Sequence, residues 1–335
     1  MKRAVIISIF VVILFLFAIS KVTAYKVEEK EEIEMPENTG MYVYKTTLRN
    51  ADGTPFVMRG INEAHTWYKT HDEASFKAIA ETGANCIRIV LADGEQWEKD
   101  SRETLEKLIN MAKQYKMVAI VELHDATGKD EIESIENASK YWIEMADTLK
   151  GTEDYCIVNI ANEWVGKWDS NIWCKGYTEV IPRLREAGIN NVIMVDAAGW
   201  GQYGKSIKDK GKEVFESDPN ANTMFSVHMY GTAGKNERTI TDNLESAIKQ
   251  ELCICVGEFG YTHSDGEVDE DFLMQYCVDN QIGYLAWSWK GNSGGVEYLD
   301  LSNDWEGKSL SKDWGERAIN GVNGIKETSV ISSAF

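Results

Sequence analysis

The sequence predicts an α/β fold: a closed (β/α)8 TIM barrel with a short N-terminal β-hairpin. Two observations carry this. Eight short apolar runs recur along the chain, separated mostly by helical patterns, and chemistry-bearing residues cluster just after the runs. Apolar runs of this kind suit parallel strands covered on both faces. In a barrel, functional side chains sit where the strands end.

The runs are 56–61 (FVMRGI), 85–91 (NCIRIVL), 117–123 (MVAIVEL), 156–160 (CIVNI), 191–195 (NVIMV), 224–228 (MFSVH), 252–256 (LCICV) and 282–287 (IGYLAW). A hairpin with Asp52-Gly53 in its turn precedes the first. Between the runs lie helix stripes. Phe76, Ile79 and Ala80 share a face before Gly83, and Leu105, Leu108, Ile109 and Ala112 repeat at helical spacing. Ala138, Trp142, Ala146 and Leu149 precede Gly151, and Ile240, Leu244, Ala247 and Ile248 form a fourth stripe. These are packing faces and carry no chemistry. An open doubly wound sheet is the alternative, but neither GxGxxG nor GxxxxGK[ST] is present to cradle a phosphate.

Four segments follow from composition. Residues 1–24 have Lys2 and Arg3 ahead of an uncharged apolar stretch and end Val22-Thr23-Ala24, which reads as a signal peptide cleaved after Ala24 in preference to a retained anchor. Residues 25–39 form a polar leader, 40–322 the barrel and 323–335 a C-terminal tail. The formal charge of −19 argues against nucleic acid and anionic membrane as partners. Six cysteines without a CxxC pair read as buried small hydrophobes, with Cys253 and Cys255 on one strand face. A Cys174–Cys277 bridge stays open, since export permits disulfides.

The strand exits carry Asn62, Glu63, His65 and Trp67; Asp93, after a run that contains Arg88; His124 and Asp125; Asn162 and Glu163; Asp196 and Trp200; His228 and Tyr230; Glu258; and Trp287 and Trp289. Glu163 and Glu258, at the ends of the fourth and seventh strands, would face one pocket. Two carboxylates about 5–5.5 Å apart suit double-displacement glycoside hydrolysis. Asn162 would bond a sugar hydroxyl, and Arg88 would keep a carboxylate ionised. His124, His228 and Tyr230 offer hydrogen-bonding groups, the last two on one face of an extended backbone. The exposed aromatics would stack on sugar rings. A metal site on His65, His124 and His228 is the rival use, without an HExxH to support it. His71, near a helix start, and His263 look less constrained.

The strings MRGINEAHTWY (58–68), NCIRIVLADG (85–94), ELHDATG (122–128), NIANEW (159–164), VDAAGWGQ (195–202), HMYG (228–231), GEFG (257–260) and LAWSWKGN (285–292) resemble glycoside hydrolase family 5, most closely its bacterial endo-β-1,4-mannanases. The resemblance spans about residues 40–320. It implies a secreted, monomeric, retaining endo-β-1,4-mannanase acting on β-mannan, with no cofactor or metal and no stable membrane partner after cleavage. It implies Glu163 as acid/base and Glu258 as nucleophile. Arg88, His124, Asn162, His228, Tyr230 and Trp287 would surround them, with Trp287, or else Trp289, under the sugar at the cleavage position. Trp67 and Trp200 would be neighbouring cleft residues. Two features depart from the pattern: Glu63 stands where that branch has histidine, which would alter a sugar contact or the pH optimum, and Trp164 replaces the commoner proline. An endo-β-1,4-glucanase and a non-catalytic carbohydrate-binding barrel are the alternatives.

Overall fold

The strands Cys86–Leu91 and Val118–Leu123 are buried at every residue, so both of their faces must be covered. A parallel sheet closed on itself with helices outside meets that demand. The computed structural model describes residues 40–335. The expected signal peptide and polar leader lie outside the described residues.

The barrel strands are β1 (Arg59–Glu63), β2 (Cys86–Leu91), β3 (Val118–Leu123), β4 (Cys156–Asn159), β5 (Val192–Asp196), β6 (Thr223–Met229), β7 (Ile254–Phe259) and β8 (Gly283–Ala286). All neighbours pair in parallel, and β8 closes onto β1. The main outer helices are α1 (Asp72–Glu81), α2 (Arg102–Gln114), α3 (Ile132–Leu149), α4 (Ser170–Glu186), α5 (Gly204–Glu216), α6 (Glu237–Ile248) and α7 (Glu270–Asp279). After β8 only the short turns Glu316–Asn320 and Ile325–Thr328 stand in the eighth position. All four helix stripes read from the sequence lie on these helices. Gly83 and Gly151 follow α1 and α3 with positive φ, where a side chain would be strained.

Strand alternation sorts the residues. Ile87, Ile89 and Leu91 of β2 face the helices, with Ala119, Val121 and Leu123 of β3. Cys86, Val118, Ile120, Ile157, Met194, Met224, Cys255 and Leu285 fill the lower barrel interior. Above that floor the interior turns polar: Asn62, Arg88, Glu122, Asn159, Asp196, His228 and Glu258 are all buried.

Two runs are displaced from their expected places. The first strand begins at Arg59, because Phe56 and Met58 plug the barrel floor, and of the two only the Met58 carbonyl reaches the ladder, accepting from Tyr284 N–H at 3.0 Å. The seventh extends to Phe259, past the apolar run that marked it. In the first case burial begins before the ladder; in the seventh the strand stays buried to its end, but Gly257 and Glu258 break the apolar run. The N-terminal hairpin pairs Tyr42–Tyr44 with Thr47–Arg49. Asp52-Gly53 lies in the next turn, closed by the Arg49–Pro55 bridge.

The last segment, 323–335, is tied to the barrel floor. Thr328 Oγ1 accepts from Arg59 Nε at 2.8 Å, the Val330 carbonyl accepts from Asn85 Nδ2 at 2.8 Å, and Ser332 Oγ donates to Asn50 Oδ1 at 2.6 Å. All six cysteines are buried free thiols, so Cys174 and Cys277 form no bridge. Cys253 and Cys255 share the barrel floor, as their alternation implies.

Candidate active site

Arg88 projects from β2 into the barrel and is fully buried. A guanidinium there must be surrounded by acceptors. Its Nη1 donates to Glu258 Oε1 at 2.7 Å and to Asn62 Oδ1 at 3.0 Å. Its Nη2 reaches Asn162 Oδ1 at 2.8 Å, and Nε reaches Asn159 Oδ1 at 3.0 Å. Asp196 and Glu122 lie at 3.5 and 3.7 Å. One cation thus binds together the ends of five strands and the Asn162 segment.

Glu258 is aimed into the barrel by an irregularity in β7. Val227 of β6 pairs with Val256, but His228 pairs with Glu258, so β7 carries one extra residue. A bulge of this kind re-aims a side chain. The residue at the bulge is Gly257, where a Cβ would lie 2.2 Å from Ser226 Oγ. Glu258 Oε2 accepts from the Tyr230 hydroxyl at 2.9 Å. Burial pushes the Glu258 carboxyl up, His228 and Arg88 pull it back, and nearby Glu163 adds to the rise; the net direction is up. Burial and the Glu258 charge raise the Tyr230 hydroxyl well above its usual value, so it stays a donor.

Glu163 follows β4 with φ of +41°, a left-handed conformation that costs a non-glycine residue energy. Two bonds hold it there. Its N–H donates to Asp196 Oδ2 at 3.1 Å, and its carbonyl accepts from Gly128 N–H at 2.9 Å. Its Oε1 lies 2.7 Å from His228 Nδ1. Burial opposes charge on His228, but the charges of Glu258 and Asp196, with the close contact to Glu163, lift the ring to about 10. Burial likewise opposes charge on Asp196, yet His228, Arg88 and the Glu163 N–H hold it at about 2.

Glu163 and Glu258 meet. A carboxylate oxygen of each lies within 4.8 Å of the other and of a His228 ring nitrogen. This is the one cluster among the described residues with a metal-ligand spacing. Its oxygens already take Arg88, Tyr230 and His228 as partners, so a cation there would compete with a buried guanidinium 2.7 Å away. The three histidines of the rival metal reading do not converge. His65 is held behind β1 by Asp72 at 2.8 Å and Asp100 at 3.2 Å. His124 Nδ1 pairs with Glu122 Oε1 at 2.9 Å.

A cavity of about 310 Å³ opens above the carboxylates, lined by His124, Asn162, Tyr230, Trp287 and Trp200 among others. The Trp287 ring stacks beside His124 with centroids 5.8 Å apart. Trp67 packs edge-on against His124 and Trp97. Trp67 and Trp200 are 37% and 48% exposed.

Two candidates lie elsewhere. Trp289 is 1% exposed, in the core, its Nε1 bonded to the Trp305 carbonyl at 3.1 Å; it offers no face to a ligand. Glu63 is fully buried on the outer face of β1 against α1 and touches no cavity wall. Asn62 and Arg88 pair across β1 and β2 and point inward, so Glu63 and Ile89 must point outward. Sequence reasoning also passed over Glu122, Asn159 and Thr127, which orient His124, Arg88 and Asn162. Even-odd counting within β3 and β4 would have found the first two. It set aside His263, which joins the cavity wall.

Comparison with known proteins agrees with this geometry. Residues 49–293 match the family model of cellulase (glycosyl hydrolase family 5). The chain is 54% identical to a mannan endo-1,4-beta-mannosidase of Salipaludibacillus agaradhaerens, over 88% of this chain and 96% of that protein. It is 40% identical to one from Streptomyces lividans, over 88% and 78%. The solved β-mannanase from Thermomonospora fusca superposes with a TM-score of 0.84 at 39% identity, over 89% of this chain and 99% of that one. The chain therefore belongs to glycosyl hydrolase family 5.

Proposed function

We propose that the protein is a secreted endo-β-1,4-mannanase that cuts internal bonds of mannan, glucomannan or galactomannan with retention. The observation that carries the reading is the approach of Glu163 and Glu258 to within 4.8 Å, since retaining enzymes hold their carboxyl groups about 5 Å apart. Glu258 attacks the anomeric carbon. Arg88 and Tyr230 hold one oxygen each, fixing the carboxylate for attack. Glu163 protonates the departing oxygen, then takes a proton from the water that hydrolyses the glycosyl-enzyme. The 2.7 Å contact with His228 fixes the position of that carboxyl.

The choice of mannan over glucan draws on the two mannosidase relatives and on the family 5 mannanase strings. Export draws on residues 1–24, which have the charge and apolar pattern of a signal peptide. Assay of purified protein on mannan, glucomannan, xyloglucan and cellulose tests the substrate. Rapid release of mannan oligomers is expected, and preferential cleavage of cellulose would select an endoglucanase instead. Intact-mass analysis of the exported protein should give a chain beginning at Tyr25.

A further inference from the structure

The hairpin after β7 has a place in the cavity that the two carboxylates do not explain. Thr262–His263 pairs with Gly266–Glu267, and its tip, His263 to Asp265, forms part of the cavity wall. A two-stranded hairpin this small is marginal alone. Here it is pinned. Asp265 Oδ1 accepts from Gly231 N–H at 2.9 Å, and Oδ2 from Thr232 N–H at 2.8 Å and Gln202 Nε2 at 3.1 Å. Gln202 Oε1 in turn accepts from Ala233 N–H at 3.1 Å. One carboxylate thereby joins the loops after β5, β6 and β7. The seat is tight: a Cβ on Gly231 would lie 2.3 Å from the Gly266 nitrogen. Burial opposes the Asp265 charge, but the bonds from Thr232, Gln202 and Gly231 outweigh it and hold the carboxyl below its usual range.

The side of the cleft follows from the reaction. Glu258 attacks one face of the anomeric carbon, and the leaving oxygen departs from the other face toward Glu163. The leaving sugar therefore lies on the Glu163 side. Trp200 is fastened to that side, its N–H donating to the Val165 carbonyl at 3.1 Å. Gln202, two residues on, carries the Asp265 contact. The 310 Å³ cavity runs from the carboxylates to Trp200, Gln202 and the hairpin tip.

We propose that the hairpin Thr262–Glu267 is the leaving-side wall of the cleft. His263 and Ser264 offer polar atoms to the hydroxyls of the first sugar beyond the cut bond, and Asp265 is the positioning residue that holds them there. The His263 ring also lies 4.7 Å from the Tyr230 ring, so the tip buttresses the hydroxyl that bonds Glu258. The inference rests on the retaining endo-hydrolase reading.

The test compares Asp265→Ala and Gln202→Glu with wild type on two substrates: mannotetraose, whose leaving group is a sugar, and an aryl β-mannobioside, whose leaving group is not. The ratio of kcat/KM for tetraose to that for the aryl substrate is expected to fall about tenfold, because only the sugar leaving group meets the wall. A role in folding alone would not move this ratio. Folded variants with the wild-type ratio would overturn the proposal. Should Asp265→Ala fail to fold, Gln202→Glu, a half-buried change that sets a carboxylate against Asp265, decides. A wild-type enzyme that cuts cello-oligosaccharides and not manno-oligosaccharides would refute the substrate reading, and the same variants on cello-oligosaccharides would then judge the wall.

Discussion

Glu258 and Glu63 are both buried glutamates at the ends of barrel strands, and their surroundings are opposite. Glu258 accepts from Arg88 and Tyr230 and has His228 at 3.5 Å. Both Glu63 oxygens lack a hydrogen-bond partner, as does the neighbouring Ser75 hydroxyl. Burial and the Asp72 charge lift Glu63 to about 8, with Ser75 and His65 pulling the other way too weakly to reverse it. The cause is one step of strand alternation. Residues that point inward join a network built around a buried cation. Residues that point outward meet the back of a helix. A carboxyl group at a strand end is therefore a reagent or a liability according to its face.

The comparison breaks most sharply at Glu258. Glu258→Gln should lower kcat by about 10⁴-fold or more, since the carboxylate supplies the attacking oxygen. Its melting temperature should change little, because the amide oxygen can still accept from Arg88. Initial-rate and mass-spectrometric measurements check this, the latter for loss of the trapped glycosyl-enzyme formed with a 2-fluoro mannoside. Glu163→Ala should cost about 10²–10⁴-fold on polysaccharide, the range for a general acid. It should cost much less on substrates with acidic aryl leaving groups, whose departure needs no proton.

The pH profile sharpens the contrast from the other side. Attack requires Glu258 ionised, and its carboxyl sits above the ordinary range. The acid limb of kcat/KM should therefore fall at higher pH than a free glutamate would give. Tyr230→Phe removes a donor from the ionised form, so it should move that limb to still higher pH and lower kcat about tenfold. A limb unmoved by Tyr230→Phe would show that another group controls it.

Much of this site was legible because its chemistry sits where a barrel must put it. Glu163, Glu258, Asn162, His124, His228 and Tyr230 all follow or end apolar runs, Arg88 interrupts one, and all converge. Glu63 misled because proximity to a strand end was read without parity. Asn62 and Glu63 are adjacent, and only the register against Arg88 and Ile89 decides which enters the barrel. Trp289 misled similarly: it lies two residues past Trp287 but is turned into the core. The role of Arg88 as common donor to Glu258, Asn62, Asn159 and Asn162 had no local signal. It depends on five strands closing around one side chain, a long-range property no single run displays.

The smallest catalytic effect is expected at Glu63, and there stability replaces turnover as the readout. An acid whose folded pKa is raised favours the folded state fully below its unfolded value of about 4.5 and loses that contribution as pH rises through about 8. Glu63→Gln removes the titration and gives Ser75 an amide to bond. Wild type and variant should have similar stability near pH 4. At pH 9 the variant should be more stable by on the order of a few kcal/mol. His65 titrates nearby, held at about 9 because its bonds to Asp100 and Asp72 outweigh its burial, so both proteins should also weaken as pH rises from about 6.5 through 9. Denaturant unfolding of the two proteins from pH 4 to 9 measures the difference. Because Glu63 stands outside the cleft, kcat/KM near pH 6 should be unchanged. A variant that loses activity there while keeping its stability would place Glu63 in contact with the catalytic network after all, and would undo the separation of the two faces.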